Sequence, residues 1–145
     1  MSDGIGKVPA EDVAAIIALL AEFHFLIDQG RAGECIDLLA EGARFIFGPG
    51  SPNHGEIAGL EAIGAFLASR QAAPVTTRHL LGLPRLEVLA PDQIGAMTLL
   101  TLFKTPGPAK PTQPAAVADL AEIYVRQDGR WRLLVREVKP VDWTR

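Results

Sequence analysis

Two polar residues lie within otherwise apolar segments of this sequence, and their types suggest acid–base chemistry. Asp28 follows the apolar residues 25–27 at the end of a helical pattern, and His79 precedes Leu80 and Leu81 in an extended pattern. A buried carboxylate is unfavourable unless it is paired, and histidine changes charge near neutral pH. A carboxylate bound to one ring nitrogen leaves the other nitrogen free to move a proton. We therefore predict an acid–base pair, Asp28 and His79, in an apolar pocket.

His24 is the third candidate catalytic residue. It lies four residues before Asp28, so the two share a helical face and can contact each other. The alternative is that His24 is a half-buried residue of the helix stripe. Asp28 also has an alternative, because it can cap the turn after its helix or pair with Arg31 or Arg78. The histidine of the predicted pair can likewise be a satisfied core residue, and His54, in a loop rich in glycine and proline, is expected to be exposed.

The composition narrows the class of protein. The 145 residues are enough for one domain, 1–145, and 48% of them are hydrophobic, which excludes a disordered chain. A net charge of -3 argues against nucleic acid as the main partner. No apolar run reaches the roughly 18–20 residues of a membrane span. The N-terminus lacks the pattern of a signal peptide, so we expect a cytoplasmic protein without membrane association. With one cysteine and three scattered histidines, neither a disulfide nor a metal site is predicted.

Four arginines fall around one predicted hairpin: Arg126, Arg130, Arg132 and Arg136. Such charges are typical of a solvated strand edge, where they oppose sheet-to-sheet aggregation. The alternative is a site for an anionic group of a substrate, or a subunit contact.

The elements that must position these residues are helices first and strands later. Apolar residues recur at helical spacing between Pro9 and Gly30, and a second, shorter helix is predicted to end at Gly42. A third helix is predicted over 60–70. The remaining chain predicts strands, of which the last two form a hairpin around Asp128-Gly129. The predicted strands cover 44–47, 76–89, 93–104, 117–126 and 131–138. This order indicates an α+β domain whose mainly antiparallel sheet wraps around the N-terminal helices.

Four short segments, in their order and spacing, resemble the NTF2-like superfamily and within it the SnoaL-like branch. They are LIDQG at 26–30, GLEAI at 59–63, TRHL at 77–80 and YVRQDGRW at 124–131. The resemblance covers nearly the whole chain. It implies an NTF2-like cone, in which helices pack in a strongly curved sheet around a pocket. Such a fold implies a pocket and leaves the reaction open.

Scytalone dehydratase is the nearest enzymatic comparison within this branch. The resemblance matches its essential aspartate to Asp28 and one of its essential histidines to His79. Its other site residues match apolar positions of this chain: the second histidine matches Phe103, the two water-binding tyrosines Ile27 and Phe47, and the asparagine a position near Leu120. The match with Phe103 predicts that its face of one strand lines the cavity, since alternate residues share a face. The predicted substrate-binding residues are Phe23, Phe47, Met97, Leu99, Thr101, Phe103, Tyr124 and Trp131. The alternative is that these side chains are ordinary core residues, since periodicity alone does not distinguish a cavity from a core.

These residues lead to three functional hypotheses. The first is a lyase, dehydratase or isomerase acting on a small aromatic or polyketide-like molecule, a reaction for which we expect no cofactor. The second is a non-catalytic ligand-binding or assembly subunit resembling the small subunits of aromatic-ring dioxygenases. The third is epoxide hydrolysis, which requires a second carboxylate with an arginine. The outer face of a curved sheet rich in Leu, Ile and Val also predicts a homodimer or homotrimer.

Overall fold

The helices and strands follow the α+β order that the sequence predicts. The computed structural model describes residues 8–110 and 113–141. Helix α1 is followed by a short 3-10 helix, and helix α2 lies between the second and third strands. The elements are α1 (Ala10–Asp28), the 3-10 helix (Ala32–Leu38), β1 (Leu39–Phe47), β2 (Gly55–Ala58), α2 (Leu60–Ala72), β3 (Val75–Leu81), β4 (Arg85–Ala90), β5 (Gln93–Pro106), β6 (Pro114–Gln127) and β7 (Arg130–Pro140).

The strands form one curled sheet in the order β2-β1-β7-β6-β5-β3, with β4 also paired to β5. All neighbours are antiparallel except β1 and β7, which are parallel. Strand β5 pairs with β4 through its first half and with β3 through its second half. It therefore connects the strand that carries His79 to the rest of the sheet.

The core lies between the concave side of the sheet and the helices. Helix α1 buries the stripe predicted from its spacing, including Ile16 and Phe23, and α2 buries Ile63 and Leu67. These side chains pack with inward residues of the strands, Phe45 among them. Burial of this apolar surface supplies the main stabilisation of the fold. Among the described residues, no helix is both long enough and apolar enough to cross a bilayer.

Several predicted boundaries were wrong. The second helix ends at Leu38, because the next residues already pair with β7, so it does not continue to Gly42. The extended run 76–89 is two strands, since Gly82-Leu83-Pro84 interrupts it and proline cannot donate a backbone hydrogen bond. Strand β2 was not predicted, because it lies in a segment rich in turn residues. The hairpin at Asp128-Gly129 is confirmed, and both residues have the positive φ of a two-residue turn.

Asp12 ties the first turn of α1 to the β6–β7 hairpin. Its Oδ1 accepts hydrogen bonds from Arg126 Nη2 at 2.9 Å and from Trp131 Nε1 at 3.0 Å. The Arg126 guanidinium also lies 4.7 Å from the centre of the Trp131 ring. One carboxylate therefore satisfies the indole N–H and positions the cation above its ring.

Replacing Asp12 tests this tie. We expect Asp12→Ala to lower the free energy of unfolding by about 1–2 kcal/mol, because the partly buried indole N–H loses its acceptor. Asp12→Asn keeps an acceptor oxygen and removes only the charge beside a partly exposed arginine, so its loss should be below about 1 kcal/mol. Urea unfolding at pH 7 measures both. Equal losses in the two variants would contradict the role given to the indole bond.

Candidate active site

Asp28 and His79 contact each other directly. His79 Nδ1 donates to Asp28 Oδ1 at 2.7 Å, and the backbone N–H of His79 donates to Oδ2 at 2.8 Å. The Thr77 hydroxyl donates to Oδ1 at 2.9 Å. Each side chain of the pair is only 9% exposed. The predicted contact is therefore present, and the carboxylate has a hydrogen bond partner on each oxygen.

The end of α1 and the middle of β3 hold this pair in place. Asp28 is the last residue of α1, and Thr77 and His79 are alternate residues of β3 that share its inward face. Arg78, which faces outward between them, donates to the backbone carbonyl of Asp28 at 3.0 Å rather than to its carboxylate. Arg31 pairs with Glu34. Neither arginine is therefore the partner of the Asp28 carboxylate.

The histidine keeps the Asp28 carboxylate ionised. Burial alone would raise the pKa of Asp28, but the hydrogen bonds and the charge of His79, with the Thr77 hydroxyl, lower it below its usual 3.8. An ionised carboxylate at this place holds the proton of His79 on Nδ1. The other ring nitrogen, Nε2, is then the one available for proton transfer.

His79 lies in the wall of a cavity of about 290 Å³. Most of the wall is apolar, and the ionisable side chains in it are Arg70, His79, Lys104 and Arg136. Ligand pockets of proteins have this character, with apolar walls and a few polar groups. The apolar wall residues include Phe23, Ile27, Phe45, Phe47, Phe66, Leu100 and Leu102. Phe23 and Phe47 therefore lie where the sequence predicted.

His24 lies behind His79, outside the cavity wall. The two ring centres are 5.0 Å apart, and His24 also contacts Phe23 edge to face. Its Nδ1 donates to the carbonyl of Leu20 at 2.8 Å, and its buried Nε2 has no hydrogen bond partner among the described residues. Burial, with the charges of Arg136 and His79, lowers the pKa of His24 well below 6.5. The structure thus places His24 beside the pair as a neutral ring, without access to a molecule in the cavity.

The predicted row on β5 lies on the wrong face. Met97 and Leu99 are 41% and 53% exposed, and neither they nor Thr101 and Phe103 line the cavity. The neighbouring residues Leu100 and Leu102 do so instead. His79 pairs directly with Leu102, which puts the even-numbered residues on its face of the sheet. The match of Phe103 to a site histidine had predicted that the odd-numbered residues of β5 face the cavity, and this prediction was wrong.

Tyr124 and Trp131 are not in the cavity wall either. The Tyr124 side chain is buried in the core, where its hydroxyl donates to Glu122 Oε1 at 2.8 Å. Trp131 lies with Leu19 in a separate, open groove at the surface, formed by α1 and the β6–β7 hairpin. None of the candidate catalytic groups lies in that groove. His54 is exposed, as predicted.

Arg136 was not singled out from its cluster, although it is the only one of the four hairpin arginines in the cavity wall. Strands normally alternate, so inward Leu133 predicts inward Val135 and Glu137. A register shift in the β6–β7 pairing, between Tyr124–Leu133 and Ile123–Val135, reverses this pattern. Arg136 consequently faces inward, opposite Glu122. The sequence shows that Glu122 is acidic and Arg136 basic, but it does not show that the two residues face each other inside the fold.

Metal-ligating side chains and the cysteine thiol are the other groups that could support chemistry. No three His, Cys, Asp or Glu side chains within 8–110 and 113–141 are grouped as metal ligands would be. Cys35 is fully buried, and burial raises the pKa of its thiol to about 12. It is an unreactive core residue.

The fold and this cavity define a class of small-molecule-binding or catalytic domains. A family model of the SnoaL-like domain matches residues 8–137, and the chain belongs to this family. No curated protein sequence matches the chain significantly.

Solved structures with the same architecture confirm the NTF2-like fold. A provisionally named scytalone dehydratase from Novosphingobium aromaticivorans superposes with a TM-score of 0.77 at 16% identity, covering 91% of this chain and 85% of that one. An NTF2-like protein with a cystatin-like fold from the same species has a TM-score of 0.73 at 22% identity, covering 92% and 84%. A Catenulispora acidiphila protein in complex with S-DNPA has a TM-score of 0.74 at 20% identity, covering 91% and 95%.

The neutral state of His24 predicts a pH dependence of stability. Because its pKa is lower in the folded chain than the usual 6.5, unfolding takes up a proton as the pH falls below 6.5. Stability should therefore decrease there by up to about 1.4 kcal/mol per pH unit from this group. We expect His24→Phe to remove this part of the slope in denaturant unfolding between pH 7 and 5, and His54→Gln to leave it unchanged. Identical slopes for the wild type and His24→Phe would contradict the assignment.

Proposed function

We propose that this protein is a cofactor-independent lyase, dehydratase or isomerase that acts by general acid–base catalysis on a small aromatic or polyketide-like molecule. The observation that carries this proposal is the 2.7 Å hydrogen bond between His79 Nδ1 and Asp28 Oδ1, in a histidine that lines an apolar cavity. His79 is the general acid and base, and Asp28 orients it.

The division of work between the two residues follows from their bonds. Asp28 holds the His79 ring through Nδ1 and the strand through the backbone N–H. His79 removes a proton from an acidic C–H of the substrate through Nε2. It then returns that proton to another substrate atom in an isomerisation, or to a leaving hydroxyl in a dehydration. A positioned acid–base group of this kind contributes typically ~10²–10⁴-fold to the rate.

The aromatic, largely apolar lining of the cavity supports a flat, largely apolar substrate. Aromatic rings from α1, β1 and α2 form part of its wall, where they can pack on the face or edge of a planar ring system. The name of the N. aromaticivorans relative is consistent with an elimination reaction. Epoxide hydrolysis is less well supported, because none of the described residues that line the cavity is Asp or Glu.

Proton exchange on a simple cyclic ketone tests this proposal without knowledge of the natural substrate. We expect the wild type to catalyse exchange of the acidic C–H protons of 2-tetralone in D2O, followed by NMR. His79→Gln and Asp28→Asn should each reduce the exchange rate at least about tenfold, because the base or its orientation is lost. Far-ultraviolet circular dichroism checks that both variants fold.

His54→Gln is the matched control, since it makes the same chemical change in an exposed loop outside the cavity wall. It should exchange protons at the wild-type rate. Undiminished exchange in His79→Gln or Asp28→Asn would rule out the catalytic pair.

A non-catalytic ligand-binding role is the second candidate. Ile27 and Phe47 line the cavity with apolar groups, at the positions that match the water-binding tyrosines of scytalone dehydratase. A wild-type protein that binds 2-tetralone in ligand-observed NMR and exchanges none of its protons would favour this role.

The proposal extends to self-association through the outer face of the sheet. Leu80, Met97 and Leu99 lie on neighbouring strands β3 and β5 and are exposed in the single chain. Covering such a surface favours a homodimer or homotrimer. Light scattering after size exclusion should give a multiple of the chain mass for the wild type and a lower multiple for Leu99→Lys. A monomeric wild type would contradict this part.

A further inference from the structure

Arg136 places a buried positive charge in the wall of the cavity. Its side chain is 8% exposed, and that of its partner Glu122 is 1% exposed. The Arg136 guanidinium carbon lies 4.6 Å from the centre of the Phe23 ring, which is a cation–π contact. Phe23 also contacts His24, which in turn contacts His79. A continuous set of side chains therefore connects the guanidinium to the acid–base pair.

The bonds described for this guanidinium use only part of its capacity. An arginine has five N–H donors in a planar fork. Within 8–110 and 113–141, the one hydrogen bond found for Arg136 runs from Nη1 to Glu122 Oε2 at 3.3 Å. That distance exceeds the roughly 2.7–2.9 Å of strong charge-assisted bonds. The partner carboxylate is shared, because Glu122 also accepts from the Tyr124 hydroxyl. The guanidinium thus keeps donors for another acceptor.

The charges in the cavity wall have one sign. Arg70, Lys104 and Arg136 contribute cations. The carboxylates that pair with wall residues, Asp28 with His79 and Glu122 with Arg136, are not themselves part of the wall. Arg70 also donates to the Thr77 hydroxyl, on the same strand as His79. A low-dielectric cavity with this lining strengthens the attraction of a bound negative charge.

We propose that Arg136 binds an anionic oxygen of the ligand, a carboxylate or an ionised hydroxyl carried by an aromatic or polyketide-like ring system. Glu122 and Phe23 hold the guanidinium in place, and the ring system occupies the apolar part of the cavity toward His79. This assignment rests on the proposed function only in taking the cavity as the ligand site. It does not depend on turnover.

Matched pairs of ligands test this assignment in the full chain. The carboxylate pair is 2-naphthoate and the neutral 2-naphthamide. The ionised-hydroxyl pair is 2-hydroxy-1,4-naphthoquinone, which is an enolate at neutral pH, and its neutral methyl ether. We expect the wild type to bind the anion of at least one pair about tenfold or more tightly than its neutral partner, the usual size of a charge-assisted hydrogen bond. The pair that shows the preference identifies the anionic group.

Variants assign the preference to Arg136. Arg136→Met alone leaves Glu122 buried without its cation, so Arg136→Met combined with Glu122→Gln removes both charges. This double variant should lose the preference for the anion and still bind the neutral analogue. Lys139→Met is the matched control, because it removes an exposed cation from the same strand, outside the cavity wall. Its preference should equal that of the wild type.

The outcomes separate this assignment from the proposed catalysis. Equal binding of anion and neutral analogue in both pairs would overturn the role of Arg136 and leave the cavity as a ligand site. A preference that persists in the double variant, or no binding of any of the four compounds, would also overturn it. If the double variant does not fold, a crystal structure of the wild type with its preferred anion is the deciding experiment. An oxygen of the ligand within about 3.2 Å of the Arg136 guanidinium would support the assignment, and the absence of such an oxygen would overturn it. Loss of proton exchange with the preference intact would count against the catalysis alone.

Discussion

The bonds of the Asp28 carboxylate connect the parts of this fold on which the site depends. One carboxylate at the end of α1 accepts from the backbone of β3, from the Thr77 hydroxyl and from the ring of His79. Hydrogen bonds to a buried charge are stronger than those between neutral groups, and leaving that charge unpaired is costly. The same bonds therefore dock the helix on the sheet and orient the histidine. The position of His79 and the packing of α1 on the sheet therefore depend on the same hydrogen bonds.

The sequence was a sufficient guide to the parts of the structure that follow from local chemistry. Helical spacing predicted α1 and its buried stripe, and Asp128-Gly129 predicted the hairpin between β6 and β7. A polar residue in an apolar segment requires a partner, so Asp28 and His79 could be paired before their contact was known. Hydrophobic patterning also supported the α+β class, which the fold of the solved relatives confirms.

What the sequence could not show depends on the register between strands. The side-chain period of a strand is two, so a single extra residue reverses which side chains face the cavity. The shift between Ile123 and Tyr124 turns Arg136 inward, opposite Glu122. The pairing of His79 with Leu102 likewise selects Leu100 and Leu102 for the wall rather than Met97 and Leu99. These strand pairings join segments that are distant in the sequence, so the alternation of residues within one strand does not predict them.

Two buried carboxylates, Asp28 and Glu122, support the polar side chains in an otherwise apolar cavity wall. Each pairs with the side chain that it supports, Asp28 with His79 and Glu122 with Arg136. Burial raises the pKa of Glu122, and the charge of Arg136 and the hydrogen bonds from Tyr124 and Arg136 oppose this effect in part. His79 and Arg136 are part of the cavity wall, whereas their partner carboxylates, Asp28 and Glu122, are not. This arrangement favours a negative charge on a molecule bound in the cavity. In the proposed reaction, abstraction of a proton by His79 would create such a charge, and the guanidinium of Arg136 would stabilise it.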